Sequence, residues 1–135
     1  MRILVPILFL LPFSLFSQNR ISITVDGVKT SNGHISVAVY DKSESFLKFD
    51  RVFKSDSTRA KKGITKIDID NLPSGEYALA VFHDVNGNNH LDTNFLGVPT
   101  EPFAFSRGKM RTFGPPSFKD CVLSIRSDQE VHISF

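Results

Sequence analysis

Tryptophan is absent, tyrosine occurs twice and cysteine once. The single thiol, Cys121, excludes an intramolecular disulfide and a cysteine-rich zinc centre. An excess of one charge is also lacking: 16 Lys and Arg stand against 14 Asp and Glu, for a formal net charge of +2. A dedicated nucleic-acid or polyanion binder needs a clustered basic excess, so that class is set aside. No internal repeat or low-complexity linker interrupts the chain, and no stretch carries an amphipathic helical stripe of three turns. What is present is ordinary for a folded protein: 135 residues, 41% hydrophobic and 22% charged, with phenylalanine unusually frequent at 13. That length suits one domain.

One long hydrophobic run exists, at the start. Met1-Arg2 is a short basic segment, and residues 3–16 (ILVPILFLLPFSLF) are almost wholly apolar, ending at the small residue Ser17. Pro6 and Pro12 interrupt the run, which is too short for a bilayer span of ~20 residues. It reads as a secretory signal peptide over 1–17, leaving a domain over 18–135. The expected location is secreted or periplasmic, with no membrane span in the mature chain.

Beyond Ser17 the hydrophobic period is two. Ile21, Ile23 and Val25 alternate with Ser22 and Thr24; Ile35, Val37 and Val39 alternate with Ser36 and Ala38. The same pattern recurs at Ile67 and Ile69, at Leu123 and Ile125, and at Val131, Ile133 and Phe135. Such alternation marks half-buried strands. Asp26-Gly27, Asn32-Gly33, Lys62-Gly63 and Ser127-Asp128 supply turns. Tyr77–His83 (YALAVFH) is apolar on both faces and reads as a central strand. Tyr77, two residues past Gly75, is placed like a tyrosine corner. Residues 43–53 (SESFLKFDRVF) suit a short helix or an irregular strand. The expected fold is an all-β sandwich of about seven strands.

Between His83 and about Ser117 no clear strand is legible, and a structureless stretch that long is usually functional. It holds Phe95, Phe103, Phe105 and Phe113, each worth ~1.5–3 kcal/mol when buried. The expectation is an ordered excursion over about 84–117, packed on the sandwich, forming the recognition surface. Its first part is Asp84-Val85-Asn86-Gly87-Asn88-Asn89-His90-Leu91-Asp92. Asp84, Asn86, Asn88, His90 and Asp92 fall at every second position. In a calcium loop of the EF-hand type, alternate residues turn oxygens inward, the seventh through its backbone carbonyl. Asp84, Asn86, Asn88 and Asp92 would supply side-chain oxygens and His90 its carbonyl, while Leu91 would pin the loop to a core. Asn89 stands where glycine is usual, a mild change because Asn tolerates the left-handed conformation. Phe95 stands where a bidentate Glu is usual, a serious one; Glu101 or Asn94 would have to complete the shell. With so few carboxylates the affinity would be on the order of 10⁻⁴–10⁻³ M. The competing reading is a polar loop closed by Asx turns.

Other chemistry is thinner. His34, His83, His90 and His132 are scattered, and no serine or cysteine sits in a nucleophile motif. Cys121 reads as a small core residue. Asp84, Asp92 and Glu101 could serve a metal-dependent hydrolase, given an open coordination position and a cleft. A Phe-lined internal cavity would instead suit an apolar small-molecule carrier. Arg107, Lys109 and Arg111, among Phe105 and Phe113, could face an anionic surface or form a solvated loop.

Residues 71–106 (NLPSGEYALAVFHDVNGNNHLDTNFLGVPTEPFAFS) resemble the signature of the bacterial family termed domain of unknown function 2141. The matching positions are Leu72, Pro73, Gly75, Tyr77 and Ala78, then His83, Asp84, Asn86 and Asn88. They continue through Leu91, Asp92, Asn94, Gly97, Pro99, Glu101, Phe105 and Ser106. The segment Phe113–Phe118 (FGPPSF) is similar too. Asn89 departs from the family's usual glycine. The resemblance implies an exported domain of transthyretin-like or immunoglobulin-like fold and brings no established activity. The expectation is therefore a non-catalytic binding or structural module with a Ca²⁺-binding loop. Its partner would be a protein, glycan or small molecule, not a nucleic acid.

Overall fold

The computed structural model describes residues 17–135. The signal-peptide expectation for 1–17 falls, except for Ser17, outside the described residues. Among the described residues eight strands build two sheets, where about seven were expected. The first sheet has the order β4-β1-β8, from β1 (Gln18–Val28), β4 (Gly63–Pro73) and β8 (Gln129–Ser134). In it β1 runs antiparallel to β4 and parallel to β8. The second sheet has the order β3-β2-β5-β6, from β2 (His34–Tyr40), β3 (Lys54–Arg59), β5 (Gly75–Asp84) and β6 (Phe103–Phe105). A short β7 (Leu123–Ile125) pairs with the start of β5, at Gly75–Tyr77. A one-turn helix, α1 (Phe118–Cys121), precedes it, capped reciprocally by Ser117 and Asp120.

Alternation explains the layering. Ile21, Ile23 and Val25 of β1, Ile67 and Ile69 of β4, and Val131 and Ile133 of β8 face inward from the first sheet. Ile35, Val37 and Val39 of β2 meet them, with Tyr77, Leu79 and Val81 of β5. These side chains are buried, each stabilising the fold by roughly 1.5–3 kcal/mol. The chain passes from one sheet to the other at Ser74, between β4 and β5. Tyr77 Oη donates to the Pro73 carbonyl at 2.8 Å there, so the expected tyrosine corner is present. Asn19 Nδ2 donates to the Leu72 carbonyl at 3.1 Å, fastening β1 to the same crossing.

β5 is central, paired with β2 on one side and with β6 and β7 on the other. Its outer face carries Ala78, Ala80 and Phe82. An aromatic cluster covers part of that face: Phe46 packs edge-on against Tyr40 at 5.4 Å and against Phe118 at 5.9 Å. Residues 43–53 are thus neither a regular helix nor a strand. They form turns and one 3-10 turn at Phe49–Arg51 that fold Phe46 onto the sheet. Cys121 is buried and unpaired, the core residue expected, and burial pushes its thiol up to about 11.

Candidate functional site

The Asp/Asn loop leaves the end of β5 where Asp84 pairs with His34 of β2. Asp84 is completely buried, and its carboxylate gathers three backbone amides. Oδ1 accepts the N–H of Gly87 at 2.9 Å and of Asn88 at 3.1 Å; Oδ2 accepts that of Asn89 at 2.8 Å. Those bonds bend the chain back on itself. Asn89 takes φ +64°, the left-handed conformation that Asn tolerates.

Three predicted ligand residues converge. Asn86 Nδ2 donates to Asp92 Oδ2 at 2.6 Å, and Asn88 Nδ2 donates to Asp92 Oδ1 at 2.8 Å. The amide oxygens point the other way and close Asx turns: Asn86 Oδ1 accepts Asn88 N–H at 3.2 Å, and Asn88 Oδ1 accepts His90 N–H at 3.0 Å. The His90 side chain is exposed, in a wide surface hollow between the loop and β2–β3. Glu101 ties the base: Oε1 accepts Val85 N–H at 3.0 Å and Oε2 accepts Asp92 N–H at 3.1 Å. Asp84 and Glu101 thus act as anchors, while Asp92 and the two amides form the exposed cluster. Among the described residues no three His, Cys, Asp or Glu side chains group at cation distance.

The rest of the excursion is ordered. The Asp92 carbonyl accepts Thr100 N–H at 2.8 Å, and Asn94 Oδ1 accepts the N–H groups of Leu96 at 2.9 Å and Val98 at 3.0 Å. His83, also buried, donates from Nε2 to the Asn32 carbonyl at 2.7 Å and stacks on Phe135. It is a structural residue joining the β1–β2 turn to the site. One expectation fails. Phe103 and Phe105 pack in β6, but Phe95 is 94% exposed and Phe113 98%. Both sit at the tips of hydrogen-bonded turns that hold them away from the sheet.

The outer face of the second sheet carries a groove of about 480 Å³ that the sequence did not disclose. Ala38 and Ala80 line it with Phe82 and Phe103, and Leu47, Phe49, Val98 and Met110 overhang it from loops. Alanines alternating with Phe82 along the outward face of β5 were the available signal, but they read equally well as a buried surface.

The molecule is an all-β sandwich with an Asp/Asn loop at one end and an apolar groove on one face. A family model described as "Uncharacterized protein conserved in bacteria (DUF2141)" matches residues 23–134, and the chain belongs to that family. No curated protein and no solved structure matches it. Among the described residues no helix is long and apolar enough to cross a membrane.

Proposed function

We propose that this is an exported, non-catalytic binding or structural module whose 84–101 loop is a weak Ca²⁺ site. The observation that carries the reading is the convergence of Asn86 and Asn88 on the two oxygens of Asp92. Rotating each amide end for end exchanges its nitrogen for an oxygen and aims two amide oxygens at the point Asp92 already faces. The Asx-turn bonds are given up in exchange, which agrees with millimolar rather than micromolar affinity. The His90 carbonyl and the remaining lone pairs of Asp84 are further candidate donors.

A metal-dependent hydrolase using Asp84, Asp92 and Glu101 is less well supported. Asp84 and Glu101 are engaged by five backbone amides between them and are poor candidates for a general base. The apolar carrier reading gains support from the groove, whose volume lies in the range of small-molecule sites. It would bind on the outside of a sheet rather than between the two.

Calorimetric titration of Ca²⁺ into chelator-treated protein tests the loop. Heat is expected at millimolar Ca²⁺, with a stabilisation of about 1.4 kcal/mol at ten times the dissociation constant. Asp92→Asn should abolish both. Absence of heat and of any rise in melting temperature removes the Ca²⁺ assignment. Export is tested separately, by mass spectrometry of the mature N-terminus, where cleavage after Ser17 is expected.

A further inference from the structure

Two loops that flank one groove end in large apolar side chains that none of the described residues covers. The first tip carries Phe95 and Leu96, which are 94% and 72% exposed; the second carries Phe113, at 98%. Both loops wall the same groove, the first through Gly97 and Val98, the second through Met110 and Thr112, so the two loops flank one face. Neither tip is free to fold inward. The Asn94 side chain holds two amides of the first turn, and Gly97 N–H donates to the Asn94 carbonyl at 2.9 Å. In the second, Arg111 N–H donates to the Gly114 carbonyl at 2.8 Å, and the Arg111 guanidinium pairs with Asp120 and so fixes the turn to α1.

The second loop's own residues carry charge of one sign. Residues 107–113 read RGKMRTF, with three cations and no anion. Arg107 and Lys109 are exposed and make no ion pair among the described residues. Aromatic tips held outward, with unpaired basic residues on the loop of one of them, match the two attractions of a membrane surface. Apolar side chains enter the headgroup and acyl boundary, and cations meet anionic headgroups. A protein partner would need a separate pocket for each tip, whereas a bilayer accepts both without one.

The geometry points to an anionic lipid surface as the partner of the 95–98 and 107–114 loops. The chain rests on it peripherally, with Phe95 and Phe113 inserted and Arg107 and Lys109 at headgroup level. This goes beyond the Ca²⁺ reading and does not depend on it.

The absence of tryptophan makes the test site-specific. Phe95→Trp and Phe113→Trp each introduce a lone tryptophan into the full chain, excited selectively over the two tyrosines. The signal then comes from the loop and not from the apolar N-terminal run, which would bind lipid by itself. Both emissions should shift to the blue with vesicles of equal parts phosphatidylcholine and phosphatidylglycerol. Neither should shift with phosphatidylcholine alone, and raised salt should reverse the effect. Adding Arg107→Glu and Lys109→Glu should weaken the partitioning by roughly ten-fold or more. Water-like emission at either tip with the anionic vesicles overturns the proposal, as does an equal shift with the neutral ones. A blue shift without vesicles that fades on dilution overturns it as well, by assigning the tips to a second copy of the chain.

Discussion

Glu101 reaches across the base of the Asp/Asn loop to Asp92: Oε2 accepts the Asp92 backbone N–H at 3.1 Å while Oε1 accepts that of Val85 at 3.0 Å. One buried carboxylate therefore fixes the distance between the strand end and the residue on which Asn86 and Asn88 converge. Removing it leaves two backbone donors without their charged acceptor. Glu101→Ala should destabilise the domain by about 2–3 kcal/mol in urea unfolding. Hydrogen exchange at Val85 and Asp92 should accelerate more than at the β1 amides. Equal acceleration everywhere would show that Glu101 supports the whole fold and not the loop in particular.

The β1–β2 turn presses on the same strand end. A Cβ built on Gly33 would lie 1.9 Å from the Asp84 carbonyl oxygen, and φ there is +67°. Gly33→Ala should therefore cost at least ~3 kcal/mol, because backbone must move and a left-handed residue is strained. Gly63 is the comparison. Its φ is +90°, but nothing lies within 4 Å of an added Cβ, so Gly63→Ala should cost only about 1 kcal/mol. Similar melting temperatures for the two variants would refute the close-packing argument.

These cases show why part of the molecule is readable from its residues and part is not. Strands with one face in the core betray themselves: Ile21, Ile23 and Val25, or Val131 and Ile133, alternate because water and core alternate around them. β5 is legible because it is covered on both faces. β3 is not, since the edge sequence KSDSTR is polar wherever it points, so its pairing with β2 leaves no hydrophobic period. β6, three residues long, is too short to display a period. At the site, the two-residue spacing picks out Asn86, Asn88 and Asp92, which meet, and also Asp84, which turns instead to backbone amides. It says nothing of which amide atom turns inward, a choice made by the Asx turns. The expectation that all four Phe would be buried applied a transfer free energy without knowing where the turns aim the side chains. Asn94, through its two accepted bonds, helps decide that for Phe95.

Tyr77 makes the crossing between sheets specific. Its hydroxyl donates to the Pro73 carbonyl at 2.8 Å, and its ring lies about 3.3 Å from where a Cβ on Gly75 would stand. Burial raises its phenol above the ordinary value, which keeps the donor protonated. Tyr77→Phe keeps the packing and removes only the bond, so a loss of about 1–1.5 kcal/mol is expected. Gly75→Ala keeps the bond but pushes the ring by a few tenths of an ångström. The double variant should lose less than the two single losses added together, since both act through one ring. Strict additivity in a denaturant double-mutant cycle would separate the two contacts.

Buried acids make the domain sensitive to alkali, Cys121 and Tyr40 most strongly and Tyr77 in addition. Burial raises the Cys121 thiol from 9.0 to about 11 and the Tyr40 phenol from 10.0 to about 12. In each case the folded chain keeps the proton while the unfolded chain releases it. Their contribution is therefore complete below the unfolded values and is lost as pH rises through the folded ones. Denaturation midpoints should be flat with respect to these two groups up to roughly pH 9 and decline above it. Cys121→Ala should flatten the earlier part of the decline, Tyr40→Phe the later part. Each variant carries its own packing loss, so the slope against pH is the quantity to compare and not the midpoint itself. An unchanged slope in the double variant would assign the alkaline loss to other groups. Thiol labelling gives an independent check, because buried Cys121 should react with alkylating reagents only at the rate of opening until urea exposes it.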